Sequence, residues 1–397
     1  MTMDIGTDEV LAAADADVLA WRRDLHRFPE LSFQEERTSQ FVFDRLQTFP
    51  GLTVTRPTRT SVMAVLTGEL AGPVVAVRAD MDALPIQEET DLEFASETPG
   101  VMHACGHDGH TAILLGLAKV LSERRESVPG EVRFLFQHAE ELLPGGATEM
   151  VAAGVMTGVE AVIGLHLRSF VDTGSIAIQE GAIMAATDTF HIVVEGLGGH
   201  AARPHLAVDT VAVAAQIVTN LQHLVARNTD PQEALVVSVT QFGAGTAHNV
   251  IPGSAELVGT VRSFSPKVRR AVPVQMERIV KGIAEAHGAT YRIVYENGYS
   301  AVVNDDRVTQ IVRSALVEVF GARAVVGMVP GMGGEDFSAL QAEAPGCFFF
   351  IGAGSAELGI AHPHHHGHFV VDEGALPIGL RALLGGTLAL LAALGSK

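Results

Sequence analysis

Residues 188–196, DTFHIVVEG, read as a strand in which Phe190, Ile192 and Val194 alternate with Thr189, His191 and Glu195. The segments after this strand decide the fold. AVDTVAVAAQIVTNLQHLVARN (207–228) reads as a helix, and ALVVSVTQFG (234–243) and AELVGTVRSF (255–264) as two strands. PKVRRAVPVQMERIVKGIAEAHG (266–288) is a second helix, and ATYRIVYENG (289–298) closes the unit as a strand. That order, β-α-β-β-α-β, is the split βαβ or ferredoxin-like arrangement.

A different rhythm lies on both sides. An amphipathic helix opens the chain over residues 8–27, with Val10, Leu11, Val18 and Leu25 at near-helical spacing. VMAVLTG (62–68), PVVAVRA (73–79), EVRFLFQ (131–137) and AVIGLHL (161–167) are apolar runs of strand length, separated by helical segments such as HTAILLGLAKVLSERR (110–125). CFFFIGAG (347–354) is a late strand of the same kind. Strands alternating with helices predict a mostly parallel α/β sheet covered on both faces. The sequence therefore predicts one α/β domain in two parts, 1–186 and 299–397, with a small α+β domain inserted over 187–298.

Composition narrows the function. At 397 residues the chain exceeds what one compact core usually needs, and its 47% hydrophobic and 18% charged residues are a globular balance. The net charge of −19 argues against nucleic acid or an anionic membrane as partner, because both select basic surfaces. Divalent cations would offset part of it. Two cysteines, Cys105 and Cys347, are too few for a disulfide framework, and MTMDIGTDEV lacks the basic and apolar regions of a signal peptide. A reduced, cytoplasmic setting is expected. The apolar segment ALPIGLRALLGGTLALLAAL (375–394), interrupted by Pro377 and Arg381, is expected to be a buried terminal helix rather than a membrane span.

Four clusters carry side chains suited to metals: HACGHDGH (103–110), QHAEE (137–141), GLHL (164–167) and HPHHHGH (362–368). Any one of them has a plainer explanation. A lone histidine at a strand end is more often a hydrogen-bonded structural residue, and a lone cysteine a small buried hydrophobe. Yet the first three come after predicted strands, and open α/β sheets assemble their sites outside the carboxyl ends of the strands. Imidazole, thiolate and carboxylate together suit Zn²⁺, Mn²⁺, Ni²⁺ or Co²⁺ and disfavour Ca²⁺ or Mg²⁺. The close cysteine pairs of a structural zinc site are absent, and more than four candidate donors point to two divalent ions. If residues 364–366 were strand-like, His364, His365 and His366 could not all face one ion.

Taken together, these motifs resemble the amidohydrolase branch of the aminoacylase and carboxypeptidase-type di-metal exopeptidases, which includes hippurate hydrolases, N-acyl-amino-acid deacetylases and auxin-conjugate hydrolases. RRDLHRFPELSFQE (22–35), RADMDALPIQE (78–88), MHACGHDGHTA (102–112), QHAEE, GLH, GGHAARPH (198–205), HNVIP (248–252), GGEDFS (333–338) and HHHGHFVVDE (364–373) carry the likeness nearly end to end. The resemblance implies a catalytic α/β domain with a ferredoxin-like lid and dimerisation domain, and a homodimer or higher homo-oligomer. It implies metal ligands at Cys105, His107, Glu141, His166 and His365, the last placed four residues before Phe369. It implies Glu140 as general acid/base and His200 as oxyanion donor, in some members supplied by the partner subunit. Asp82 is weighed equally as a carboxylate orienting a ligand and as a turn residue.

The substrate implied is an N-acyl amino acid or short peptide, with a di-metal carboxypeptidase or dipeptidase as the other member activity. Its free carboxylate needs donors, for which Asn249, Arg262 and the GMGGED loop are candidates. His26 and Glu30 match the opening motif but are assigned to local packing and capping.

Overall fold

β-branched and aromatic runs set the centre of the molecule. In the computed structural model, which describes residues 8–360 and 362–395, β3 (Leu70–Asp80), β4 (Pro129–Gln137) and β5 (Ala161–Asp172) lie parallel and adjacent, in the order β4-β3-β5. Gly346–Gly354 adds a further parallel strand beside β5. The parallel centre is flanked by antiparallel pairings: β1 (Leu52–Thr55) with β2 (Val62–Thr67), β2 with β4, and Gly346–Gly354 with β6 (Ile176–Ala177). The expected mostly parallel sheet is present, with antiparallel margins that the strand pattern alone does not reveal.

Helices cover this sheet because their apolar stripes match its faces. α1 (Asp8–Arg27) and α3 (His107–Ser122) place Ala14, Val18, Ile113, Leu117 and Leu121 in the same core as Val75, Val77 and Phe134. The helix Ala375–Leu394 is long and apolar enough to cross a membrane, yet 67% of its most apolar stretch is buried. Leu376, Leu380, Leu383, Leu390 and Leu391 join that core, as expected of a terminal helix packed into the protein. The sequence reading does not single out α2 (Glu36–Gln47), whose N-terminal N–H groups at Arg37 and Thr38 are capped by the Glu30 carboxylate. Glu30 is thus a capping residue, as expected.

Two compact units emerge. One comprises the chain up to Ile183, Val303–Val329, and the chain from Asp336 onward; the other is Met184–Val302 with Pro330–Glu335. In the second unit Ala186–Glu195, Leu235–Ala244, Ser254–Ser263 and Thr290–Asn297 form an antiparallel sheet, with Ser254–Ser263 and Ala186–Glu195 in the middle. Helices Thr210–Ala226 and Pro266–Ala286 pack on it through Ile217, Leu221, Met276 and Val280 against Phe190, Ile192 and Leu257. This is the β-α-β-β-α-β order of the sequence. Pro330–Glu335 falls with this unit rather than with the segment 299–397, because Ala185 donates to the Gly333 carbonyl and Gly334 lies against Thr187.

Gly259 sits at the centre of that second sheet, where a Cβ would fall 2.2 Å from Phe190 Cζ and 2.3 Å from the Ser238 carbonyl oxygen. Gly259→Ala should therefore destabilise the second unit by about 1–3 kcal/mol through overpacking. Metal uptake, which we assign to the first unit, should be unchanged. Thermal unfolding combined with metal titration checks both halves of that statement.

Candidate metal centre

The C-terminal ends of β3, β4 and β5 lie on one edge of the sheet, and the metal-type side chains collect there. Cys105 and His107 come from the loop entering α3, which starts at His107 after Gly106 at φ 93°, a left-handed conformation that favours glycine. Glu140 and Glu141 come just after β4, and His166 lies within β5. The sequence pattern alone ends β5 near Leu167. The strand runs on to Asp172 because its pairing with Gly346–Gly354 continues through Gly352–Arg168 and Gly354–Asp172.

Donor atoms of Cys105, His107 and Glu141 lie within 4.8 Å of one another, as do those of Cys105, His166 and His364. Cys105 belongs to both sets. Its Sγ is 3.4 Å from His166 Nε2. His166 commits Nδ1 to the Leu167 carbonyl at 2.7 Å, and His107 commits Nδ1 to the Asp82 carbonyl at 2.9 Å and to Asp82 Oδ1 at 3.2 Å. Both rings thereby turn Nε2 towards the cluster, the nitrogen that a metal would take. His107 Nε2 and His364 Nδ1 are buried without a hydrogen-bond partner, and the buried Glu141 Oε1 has only imidazole nitrogens as ion-pair partners. Orphaned buried polar atoms of these types, converging on one place, fit divalent cations.

The histidine run is a turn, not a strand. His365 has φ 64°, so adjacent side chains escape strict alternation. His364 turns towards Cys105 and His166, whereas His365 Nε2 lies 3.2 Å from Glu141 Oε1. Two successive histidines therefore address the cluster from different sides, and the sequence-based choice of His365 is joined by its neighbour. His366 packs instead on His362.

Asp82 is bound into the site rather than free in a turn. Besides His107, its carboxylate accepts from Ser32 Oγ at 2.6 Å and from the Glu141 N–H at 3.0 Å. Asp80 escapes the sequence reading, and His110 enters it only as a member of the 103–110 cluster. Asp80 and His110 form a pair at 2.6 Å, and His110 Nε2 accepts from the Leu167 N–H, so His110 is held at both nitrogens. Asp108, in the same motif, bonds Arg22 and His26 at 2.8 Å each. Only its position in the run could have suggested a ligand.

The acids shape the protonation of the site. Burial alone would lower His107, but Asp80, Asp82 and Glu141 outweigh it and raise it to about 10. Burial, then Glu141 and Glu140, push the Cys105 thiol well above its ordinary value. Burial and neighbouring imidazoles hold His166 well below the usual histidine range and His364 at about 3.

The remaining sequence candidates lie in the second unit. Gly199–His200 pairs antiparallel with Val250–Ile251, and the Ala201 N–H donates to the Asn249 carbonyl, so His200 and Asn249 sit side by side and exposed. The Ala202 N–H donates to His200 Nδ1 at 3.1 Å, which leaves Nε2 as the N–H donor. Arg262 is half-buried and donates to the Val261 carbonyl and to Thr260 Oγ1.

Residues 76–385 match the model of peptidase family M20/M25/M40. The chain belongs to this family. It is 63% identical over 290 residues to the N-acyl-L-amino acid amidohydrolase of Geobacillus stearothermophilus, covering 73% of this chain and 78% of that one. It is 41% identical to thermostable carboxypeptidase 1 of Saccharolobus solfataricus, over 92% of this chain and 93% of that one. The crystal structure of Bacillus subtilis YXEP protein, a dinuclear metal binding peptidase from the M20 family, superposes with a TM-score of 0.83 at 38% identity, covering 96% of this chain and 99% of that one.

A protonated His107 and Cys105 must give up their protons to a metal. Apparent affinity for Zn²⁺ or Mn²⁺ should then rise about tenfold per pH unit for each proton released between pH 6 and 8. Calorimetric titration in buffers of different ionisation enthalpy counts those protons, and a count of zero would exclude these two residues as ligands.

Proposed function

We propose that this chain is a metal-dependent amidohydrolase that cleaves N-acyl amino acids to a carboxylate and a free amino acid. The observation that carries the reading is the pair of three-donor sets sharing Cys105, with Glu140 next to a member of one of them. The similarity to the Geobacillus amidohydrolase supports the same reaction class. Cys105, His107, Glu141, His166 and one of His364 and His365 would hold two divalent ions. When bound, such a pair lowers the pKa of a water and polarises the scissile carbonyl.

The residues do the rest. Glu140 succeeds Ala139 at the turn after β4 and is buried, so it accepts a proton from the attacking water without diluting it into solvent. It returns that proton to the leaving nitrogen as the C–N bond breaks. The His200 Nε2–H is the donor assigned to the developing oxyanion, and Asn249 and Arg262 are assigned to the substrate carboxylate. The two cysteines, both free and buried, favour a reducing, cytoplasmic setting.

We also assign the second unit to self-association as a homodimer. Leu235–Ala244 is an edge strand of its sheet, and residues 240–244, Phe242 among them, are exposed along it. Edges of this kind are natural pairing surfaces. Sedimentation should give a dimer that Phe242→Lys converts to monomer, and a monomeric parent protein would remove the assignment.

The chemistry is tested by amine release from N-acetyl, N-benzoyl and indole-acetyl amino acids and from dipeptides, after chelation and reloading with Mn²⁺, Zn²⁺, Ni²⁺ or Co²⁺. Glu140→Gln should lose about 10²–10⁴ in turnover while keeping its metal. Undiminished turnover in that variant would refute the role of Glu140. Faster release from dipeptides than from N-acyl amino acids would favour the carboxypeptidase activity instead.

A further inference from the structure

Arg168 lies two residues beyond His166 on β5, so both side chains leave the same face of the strand, together with Phe170. Leu165 and Leu167, on the other face, belong to the main core. The Arg168 guanidinium carbon sits 3.4 Å from the centre of the Phe350 ring and 5.5 Å from that of Phe170. These rings adjoin the candidate ligands: Phe350 is 6.3 Å from His166, and Phe170 is 5.9 Å from His364. The cation is therefore held at the margin of the metal centre.

It has no counterpart there. Among the described residues no hydrogen bond or ion pair reaches the Arg168 guanidinium, although the residue is half-buried. Four other sequestered arginines are matched to acids. Arg22 meets Asp108 and Glu373, Arg78 meets Asp80 and Asp336, Arg269 meets Asp188, and Arg313 meets Glu180. In a chain of net charge −19, carboxylates are plentiful, and this unpaired, partly desolvated guanidinium stands apart from them. Stacking occupies the face of a guanidinium, while its N–H donors lie around the edge, so a stacked arginine can still grip a carboxylate with two parallel hydrogen bonds. Phe170 is 63% exposed and offers an apolar surface near the guanidinium.

We infer that Arg168, stacked on Phe350, is a specificity-determining residue that binds a carboxylate carried by the substrate on an apolar body. The inference rests on the amidohydrolase reading of the neighbouring centre. Two sources share this chemistry: the α-carboxylate of the amino acid, and a carboxylate at the end of a dicarboxylic acyl group.

The test compares the parent enzyme with Arg168→Met, which keeps a stem to cover Phe350, and with Arg168→Lys, which keeps the charge but not the fork. Two substrate pairs are used, an N-benzoyl amino acid against its α-carboxamide, and an N-succinyl amino acid against its N-butanoyl analogue. In Arg168→Met, kcat/KM should fall about 10–100-fold for the charged member of one pair, mainly through KM, with Arg168→Lys intermediate. The neutral member should stay within about twofold. Loss confined to the benzoyl pair identifies the α-carboxylate, and loss confined to the succinyl pair identifies the acyl side. Equal loss for charged and neutral members, or no loss, overturns the inference and leaves Arg168 as a packing residue. Equilibrium binding of the same four compounds to metal-loaded Glu140→Gln, with and without Arg168→Met, repeats the comparison without turnover. A parent enzyme inactive on every compound would sink the hydrolase reading, and the binding comparison would still decide Arg168 by the same charged-against-neutral criterion.

Discussion

The Asp82 carboxylate is the junction on which the candidate centre depends. Just past the end of β3, it takes a hydrogen bond from Ser32, another from the Glu141 N–H, and faces Nδ1 of His107. Three segments distant in sequence are thereby fixed relative to one another: the loop before α2, the turn after β4, and the first turn of α3. Burial alone would raise this carboxyl, but the hydrogen bond from His107 and its charge, with Ser32 and the Glu141 N–H, hold it below the usual carboxylate range. Removing it would orphan several buried donors at about 1–3 kcal/mol each, and would free the ring of His107 to rotate away from the cluster.

A second carboxylate carries strain. Three described residues other than glycine have left-handed backbones, Phe33 at φ 65°, Ala139 at φ 48° and His365 at φ 64°. Each such residue costs about 1–2 kcal/mol, so something must hold it. Glu35 accepts the N–H groups of both Phe33 and Ala139 through the same oxygen, and Thr60 Oγ1 through the other. Ala139 is the residue at which β4 turns to present Glu140 and Glu141. Burial first, and then the charge of Asp82, raise Glu35 to about 7. Its ionisation therefore opposes folding as pH climbs from its ordinary range near 4.5 through about 7, a cost on the order of 3 kcal/mol from the shift itself. The strained turn and the perturbed acid sit together, which is where function rather than stability sets the local choice of residue.

Much of this was legible because periodicity is local. Phe190, Ile192 and Val194 alternate in the sequence and all three enter the core of the second unit. Likewise the donor types of HACGHDGH and QHAEE announce themselves, since thiol, imidazole and carboxylate rarely crowd together without cause. What stayed hidden is non-local. The Asp80–His110 pair spans 30 residues, the continuation of β5 depends on a partner strand near the other end of the chain, and the turn at His364–His366 depends on one left-handed residue that no composition rule marks. Arg168 is hidden for the same reason. In the sequence it falls just past the apolar run AVIGLHL, and only the stacking on Phe350, 182 positions later, shows that it is held.

Charge ties these features together. Asp80 is balanced by Arg78 at 2.8 Å, and Asp108 by Arg22 and His26. Asp82 and Glu141 meet only histidines among the ion pairs of the described residues. The same excess favours protons on His107 and Cys105, and these are what a metal must displace. Two divalent ions would replace those protons, let the thiol ionise between the two donor sets, and return His107 to a neutral donor. The surplus of acid is thus a preorganised preference for cations, set by burial before any ion arrives. Arg168, at the margin, is a fixed positive group still able to meet an anion once the centre itself has been filled.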